Sequence, residues 1–153
     1  MTTPASFKGH PIHVILVAYP IGLWTFSLVC DVVYRMGWGG EAWADAALYT
    51  LGGGIVGALL AAVPGLIDLL SLADPAVKKV GILHMAVNLG AVAVFGFGFL
   101  LRLGGNEGVF PVLLSLAGVI AIGISGWLGG ELVYAHGVGV QAAPPGPAPG
   151  GRP

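Results

Sequence analysis

The chain has 153 residues, of which 56% are hydrophobic and only 8% are charged, and its formal net charge is −1. Soluble domains carry about 25% charged residues, so this composition cannot cover a globule with polar surface and indicates a membrane protein. The near-neutral charge excludes a basic face for nucleic acid. The single cysteine, Cys30, excludes an intramolecular disulfide and a thiolate cluster. Its apolar neighbours favour a packing role for the thiol.

Four apolar segments are each long enough to cross a bilayer as a helix. The predicted helices cover residues 11–35, 46–72, 79–102 and 109–135. A short segment, residues 1–9, precedes them, and we expect the Pro/Gly-rich residues 138–153 to be disordered. The predicted fold class is all-α. Residues 10–137 form an integral membrane four-helix bundle that runs up-down-up-down and has both termini on one side.

This alternation brings all four histidines to the end of the bundle that carries the termini, which we call the near end. His10 and His13 open the first helix, His84 lies in the first turns of the third, and His136 follows the fourth. Ionisable groups inside a membrane are costly and are usually functional, so the near end is the predicted site. Its other polar side chains are Asp68, Asn88, Glu131 and Tyr134.

The lysines favour one orientation in the membrane. Lys8, Lys78 and Lys79 lie at the near end, whereas Arg35 and Arg102 lie at the opposite, far end. Under the positive-inside rule, this distribution favours a cytoplasmic near end. We expect a multi-pass protein of the inner (plasma) membrane with both termini in the cytoplasm.

Other residues predict how the helices pack. Asp31 and Arg35 are one turn apart and are expected to form a local ion pair at the far end. Pro20 and Pro64 each remove a backbone hydrogen bond, and bends at these residues could open the near end into a pocket. Small residues four apart predict close helix contacts, with a flat cofactor against the fourth helix as the alternative. These pairs are Gly53 and Gly57, Ser125 and Gly129, and Gly126 and Gly130.

The sequence HPIH places two imidazoles where the first helix begins. Pro11 suits the first helical position, which makes His10 the predicted N-cap and His13 the third residue of the helix. Both histidines then lie at the positive end of the helix dipole, which opposes protonation of imidazole. Neutral imidazole is the form that binds a metal.

Several roles for these residues stay open. Two histidines from different helices could hold the iron of haem b. Three or four with a carboxylate could hold another transition metal, or the histidines could anchor helix ends without any cofactor. His13 and His84 are the deepest and are the predicted ligands, with His10 and His136 as further candidates. Asp68 is expected to accept a hydrogen bond from His13 or His84, as carboxylates behind ligating imidazoles do. The other supporting residues are Asn88, Glu131 and Tyr134.

Four stretches carry a family resemblance: GHPIHVILVAYPIGLW, AAVPGLIDLL, HMAVNLG and SGWLGGELVYAHGVGV. In this order, over about residues 7–140, the chain resembles the uncharacterised bacterial membrane family called domain of unknown function 2231. The resemblance implies a four-helix membrane domain, and some relatives are joined to a Rieske-type iron–sulfur domain after the fourth helix. It implies no established activity. The family positions fall here on His10, His13, Pro20, Asp68, His84, Asn88, Glu131 and His136.

We therefore predict a haem- or metal-binding electron-transfer component rather than a stand-alone enzyme. HExxH, CxxCH, P-loop and GxSxG motifs are absent from the sequence. The alternatives are an accessory protein that passes protons or metal ions, and a structural subunit without a cofactor. The expected partners are the lipid bilayer and a separate iron–sulfur or other redox protein. The sequence leaves open whether the chain forms a homo-oligomer.

Overall fold

The structure is a computed structural model that describes residues 3–106 and 108–140. Within these residues, two short strands precede five α-helices. The strands are β1 (Ser6–Phe7) and β2 (His10–Pro11), and the helices are α1 (Ile12–Leu16), α2 (Ala18–Arg35), α3 (Ala42–Ser71), α4 (Pro75–Leu103) and α5 (Val109–Tyr134). The predicted tail lies, from residue 141 onward, outside the described residues.

The N-terminal segment folds into a small antiparallel hairpin in which Phe7 pairs with His10. Its turn uses Lys8 and Gly9, whose φ angles of 48° and 81° lie in the left-handed region. Turns of this kind match the twist of paired strands. Pro11 is the N-cap residue of α1, so the predicted capping role of His10 is wrong. His10 pairs in a strand because the chain enters the helix from this hairpin.

The first apolar segment forms two helices because a proline interrupts its hydrogen bonding. Pro20 has no N–H to donate to the carbonyl of Leu16, four residues earlier, and the break between α1 and α2 falls at Val17. The Val17 N–H still donates to His13 O at 3.0 Å, so the axis continues. Pro64, in contrast, lies inside the uninterrupted α3.

Four spans are long and apolar enough to cross a membrane: Ile12–Arg35, Ala42–Ser71, Pro75–Leu103 and Val109–Tyr134. Two of them begin four residues before the predicted starts, because the helices extend past the uncharged runs into polar flanks. Asp74 caps α4 by accepting the Ala76 N–H at 2.8 Å, and Pro75 takes the first helical position. The predicted all-α membrane bundle is confirmed.

The helices form two hairpins. We call residues 12–71 the first hairpin and residues 75–134 the second hairpin, since α2 packs most extensively on α3, and α4 on α5. His13, near the start of the first hairpin, contacts Ala61 late in α3, whereas Ser27 contacts Ala47 early in α3. The helices α2 and α3 therefore run in opposite directions. Because α3 also packs on α4 and α2 on α5, the helices α2 and α4 face each other across the centre.

An aromatic stack fills the centre of the bundle. The rings of Trp24 and Phe95, one from each hairpin, lie 4.1 Å apart and are nearly parallel. A Cβ atom at Gly54 or Gly118 would collide with one of these rings, so both positions require glycine. The outer surface is apolar, as in Leu70, which is 66% exposed. Such a surface suits a lipid environment.

Candidate two-histidine site

His13 lies in α1 and is anchored to the neighbouring helix. Its Nδ1 is 2.8 Å from the carbonyl oxygen of Ala61. Because a carbonyl only accepts, Nδ1 carries the hydrogen and Nε2 keeps a lone pair. Within residues 3–106 and 108–140, Nε2 has no hydrogen-bond partner. The ring lies over Gly65, where a Cβ atom would come within 2.7 Å of Nδ1. Glycine at this position therefore admits the imidazole.

His84 is held in the same way in the second hairpin. Its Nδ1 lies 2.9 Å from the carbonyl oxygen of Ser125 and 3.0 Å from the hydroxyl of that serine. The ring lies against Gly129, where a Cβ would come within 3.2 Å. On the other side, Asn88 Nδ2 is 3.1 Å from Nε2 of His84. Asn88 is therefore a direct neighbour of His84, and its supporting role stays a prediction.

The two imidazoles converge, as the sequence analysis predicts for His13 and His84. Their ring centroids are 6.2 Å apart and the ring planes are nearly perpendicular, at 86°. Metal–imidazole bonds of about 2.0–2.1 Å would place the centroids of two rings on one metal at most about 6.4 Å apart. The observed separation lies within this limit. A role as cofactor ligands stays a prediction.

The predicted hydrogen bond between Asp68 and a histidine is wrong. Asp68 is 9% exposed, and its Oδ1 accepts the backbone N–H of Ala5 at 2.9 Å. The N-terminal hairpin folds back over the end of α3 and supplies this donor. His13 and His84 use their Nδ1 atoms on backbone carbonyls instead. The carboxylate therefore fastens the N-terminal segment to the bundle.

The remaining candidates stand apart from the pair. His10 is exposed in β2, His136 follows α5, and Glu131 and Tyr134 are exposed near the end of α5. Among the described residues, none of these four side chains is hydrogen-bonded to His13 or His84. No group of three or more His, Cys, Asp or Glu side chains in the same part of the chain is placed to hold a metal ion. The predicted set of three or four histidines with a carboxylate is therefore not assembled.

Sequence reasoning missed the groups that orient the histidines. Ala61 and Ser125 act through their carbonyls, and a carbonyl leaves no signal in the sequence. The small residues of the fourth helix give a partial signal of the site in the sequence. Ser125 and Gly129 are predicted as a close-packing pair, and both face His84. Gly126 has no other atom near its Cβ position, and Gly130 only Tyr134. The alternative of a flat cofactor against the fourth helix stays a prediction.

The far end holds a second polar pair. Asp31 and Arg102 form an ion pair at 2.5 Å, with side chains 9% and 11% exposed. Arg102 also donates to Ser115 Oγ at 3.1 Å and to Pro111 O at 3.3 Å. Arg35, the predicted local partner of Asp31, donates to the carbonyl of Gly108. The pairing of Asp31 with a helix of the other hairpin was not predicted.

Four apolar spans that enclose one polar pair near each end of the bundle axis define an integral membrane protein of the helical-bundle class. The chain belongs to the family called domain of unknown function 2231, described as predicted membrane protein, whose sequence profile matches residues 9–142. No curated protein and no solved structure matches the chain. The function must therefore be argued from the site itself.

Proposed function

We propose that His13 and His84 would hold the iron of a haem b, and that the protein is an electron-transfer component of its membrane. The observation that carries this proposal is the pair of backbone-anchored imidazoles, one from each hairpin, with centroids 6.2 Å apart. Another transition metal is the second choice of cofactor. It would need ligands beyond this pair, because no third side chain converges there in the described residues.

The anchoring of Nδ1 supports a ligand role. A metal-binding histidine usually donates its other ring N–H to a carbonyl or carboxylate, which fixes the tautomer and the ring orientation. His13 and His84 both make this bond, to Ala61 O and Ser125 O. The two Nε2 atoms are then the coordinating atoms. For His84, the Asn88 amide must give up its contact with Nε2.

A bound haem would be held between the two hairpins, since each hairpin supplies one of the two histidines. The hairpins contact each other less extensively than the helices within a hairpin do, so this boundary is the easier one to open. The haem would supply one-electron chemistry. The chain would hold it, orient it and exclude water from one end of the bundle.

The expected electron partner is a separate iron–sulfur or other redox protein that docks at the near end. The likeness to relatives joined to a Rieske-type domain after the fourth helix supports this choice. The lysines at the near end favour cytoplasmic termini in the inner membrane.

Two other functions compete with this one. A structural subunit without a cofactor is favoured by His84, because both of its ring nitrogens already have hydrogen-bond partners. Transport of protons or metal ions along the bundle axis has less support, since the Trp24–Phe95 stack occupies the centre between the two polar pairs.

Visible absorption of protein produced with excess haem and purified in detergent tests the proposal. We expect a Soret band that shifts on reduction in the native chain and in H136A, and its loss in H13A and in H84A. His136 is the matched control because it is a near-end histidine outside the pair. No Soret band in folded native protein, or an unchanged band in H13A and H84A, would overturn haem ligation by this pair. Metal analysis of the same samples separates another metal from the structural alternative.

A further inference from the structure

The two hairpins repeat the same contacts. In the first, His13 bonds to the carbonyl of Ala61 and lies over the glycine four residues later; in the second, His84 does the same with Ser125. Deeper in the bundle, Trp24 packs on Gly54, and Phe95 packs on Gly118. These contacts pair chemically similar residues at the same depth of each hairpin.

The spacing along the chain is constant. Three pairs of residues meet across the centre: His13 with His84, Trp24 with Phe95, and Asp31 with Arg102. Each pair is 71 positions apart. On the facing helices, the counterparts are 64 positions apart, as in Ala61 and Ser125, Gly54 and Gly118, and Gly65 and Gly129.

This pattern is that of two parallel repeats related by a pseudo-twofold axis along the bundle. In each repeat, the three residues that meet at the axis are separated by 11 and then 7 positions along the chain, as in His13, Trp24 and Asp31. These spacings are about three and two helical turns, so the three residues lie on one face of the helix. At the first two levels the residues that meet are alike, imidazole with imidazole and aromatic with aromatic. At the third level they carry opposite charges.

We propose that the chain is a tandem repeat of one hairpin. We also propose that Asp31 and Arg102, which face the bundle axis, favour the pairing of the first hairpin with the second over the pairing of two identical hairpins. A pair of first hairpins would bring two Asp31 carboxylates together, and a pair of second hairpins two Arg102 guanidiniums. Like charges at a buried contact disfavour both of these assemblies. Only the mixed pair places opposite charges together at this level of the axis, and the first and second hairpins of one chain supply it.

The surroundings of the ion pair differ between the repeats in a way that allows a sharp test. Arg102 donates to Pro111 O and to Ser115 Oγ. The counterparts of these residues beside Asp31 are Ala47 and Leu51. If the repeats are equivalent, an arginine at position 31 can reach the Ala47 carbonyl, and L51S adds the missing hydroxyl. S115L removes a hydroxyl that an aspartate at position 102 does not need.

The test compares full-length variants in detergent by their resistance to unfolding and their oligomeric state. D31R and R102D should each lower the folding equilibrium constant at least tenfold, because both hairpins then carry the same charge and no pairing of hairpins relieves the repulsion. D31R/R102D should regain most of the loss as a monomer. This double variant keeps the proposal falsifiable even where the single variants do not fold.

The substitutions L51S and S115L provide the matched control. In the native chain they should destabilise, because Arg102 loses a hydroxyl and a serine enters an apolar position. In D31R/R102D the same two changes should stabilise, and this reversal of sign is the signature of equivalent repeats. A double variant no more stable than the single variants would overturn the role of the ion pair in pairing. Destabilisation by L51S/S115L in both backgrounds would overturn the repeat.

Discussion

The near and far ends of the bundle axis both join the two hairpins through polar side chains, yet the two pairs satisfy their bonding in different ways. At the near end, each imidazole bonds through Nδ1 to a backbone carbonyl; His13 Nε2 makes no hydrogen bond in the described residues, whereas His84 Nε2 contacts the Asn88 amide. At the far end, Asp31 and Arg102 pair with each other, although Arg102 Nη1 is buried without a hydrogen-bond partner among the described residues. The comparison teaches that side chains oriented by the backbone mark a candidate ligand site. Side chains that neutralise each other mark a contact made for assembly.

The largest expected effect concerns the assignment of the two ends to the two sides of a membrane. Reporter enzymes fused to the N-terminus and to the C-terminus should both be active on the same side, which the near-end lysines predict to be the cytoplasm. A reporter inserted in the loop at Gly39 should show the opposite activity. Termini on opposite sides would end the distinction between a near and a far end.

R102A should produce the largest loss of stability among single substitutions. It leaves the Asp31 carboxylate buried without its charge partner, which costs about 3–5 kcal/mol. The matched variant D31L/R102M replaces both charges with apolar groups and should recover most of this loss. Unfolding of both proteins in detergent by a denaturant measures the difference. Equal losses in the two variants would show that the cost is one of shape and not of charge.

G118A should destabilise the aromatic stack that lies between the near and far ends. The added methyl group would meet the Phe95 ring, and overpacking of this kind costs about 1–3 kcal/mol. G123A, in the same helix, adds its methyl where no atom lies within 4 Å and should be neutral. The same unfolding measurement applies. A neutral G118A would mean that the aromatic stack shifts freely.

H13A should have the smallest effect on folding, although it removes a proposed ligand. The lost hydrogen bond to Ala61 O is worth about 0.5–1.5 kcal/mol, well below the loss expected for R102A. Unfolding of the cofactor-free native protein and of cofactor-free H13A measures the contribution of this hydrogen bond without any contribution from a bound ligand. A loss as large as that of R102A would place His13 among the assembly contacts and would erase the contrast between the ends.

The sequence was sufficient for the membrane class and the helices, because apolar length alone decides which segments can span. The convergence of His13 and His84 could also be predicted, since helix order and direction bring both residues to one end. The partners of Asp68 and His84 could not. Asp68 bonds to a backbone N–H of a hairpin that precedes the first helix, and Ser125 acts through its carbonyl. Such contacts depend on tertiary placement, which side-chain patterns do not encode.

The pairing of Asp31 with Arg102 shows a further limit. A carboxylate and a guanidinium one turn apart suggest a local pair, and the spacing of Asp31 and Arg35 gave that expectation. The partner found in the structure is 71 positions away. The constant shift between the hairpins is present in the sequence, but it joins like residues at only a few positions, such as His13 and His84, so the sequence alone does not reveal a repeat.

Cys30 adds an experimental consequence to this architecture. It is the only cysteine of the chain, and its side chain is fully buried in α2. A thiol-specific reagent should therefore leave the closed bundle unlabelled and modify it only when the helices packed around α2 separate. The rate at which Cys30 is labelled in the native protein therefore measures how often the bundle opens. A cysteine introduced elsewhere on the surface would be a unique attachment point for a spectroscopic probe.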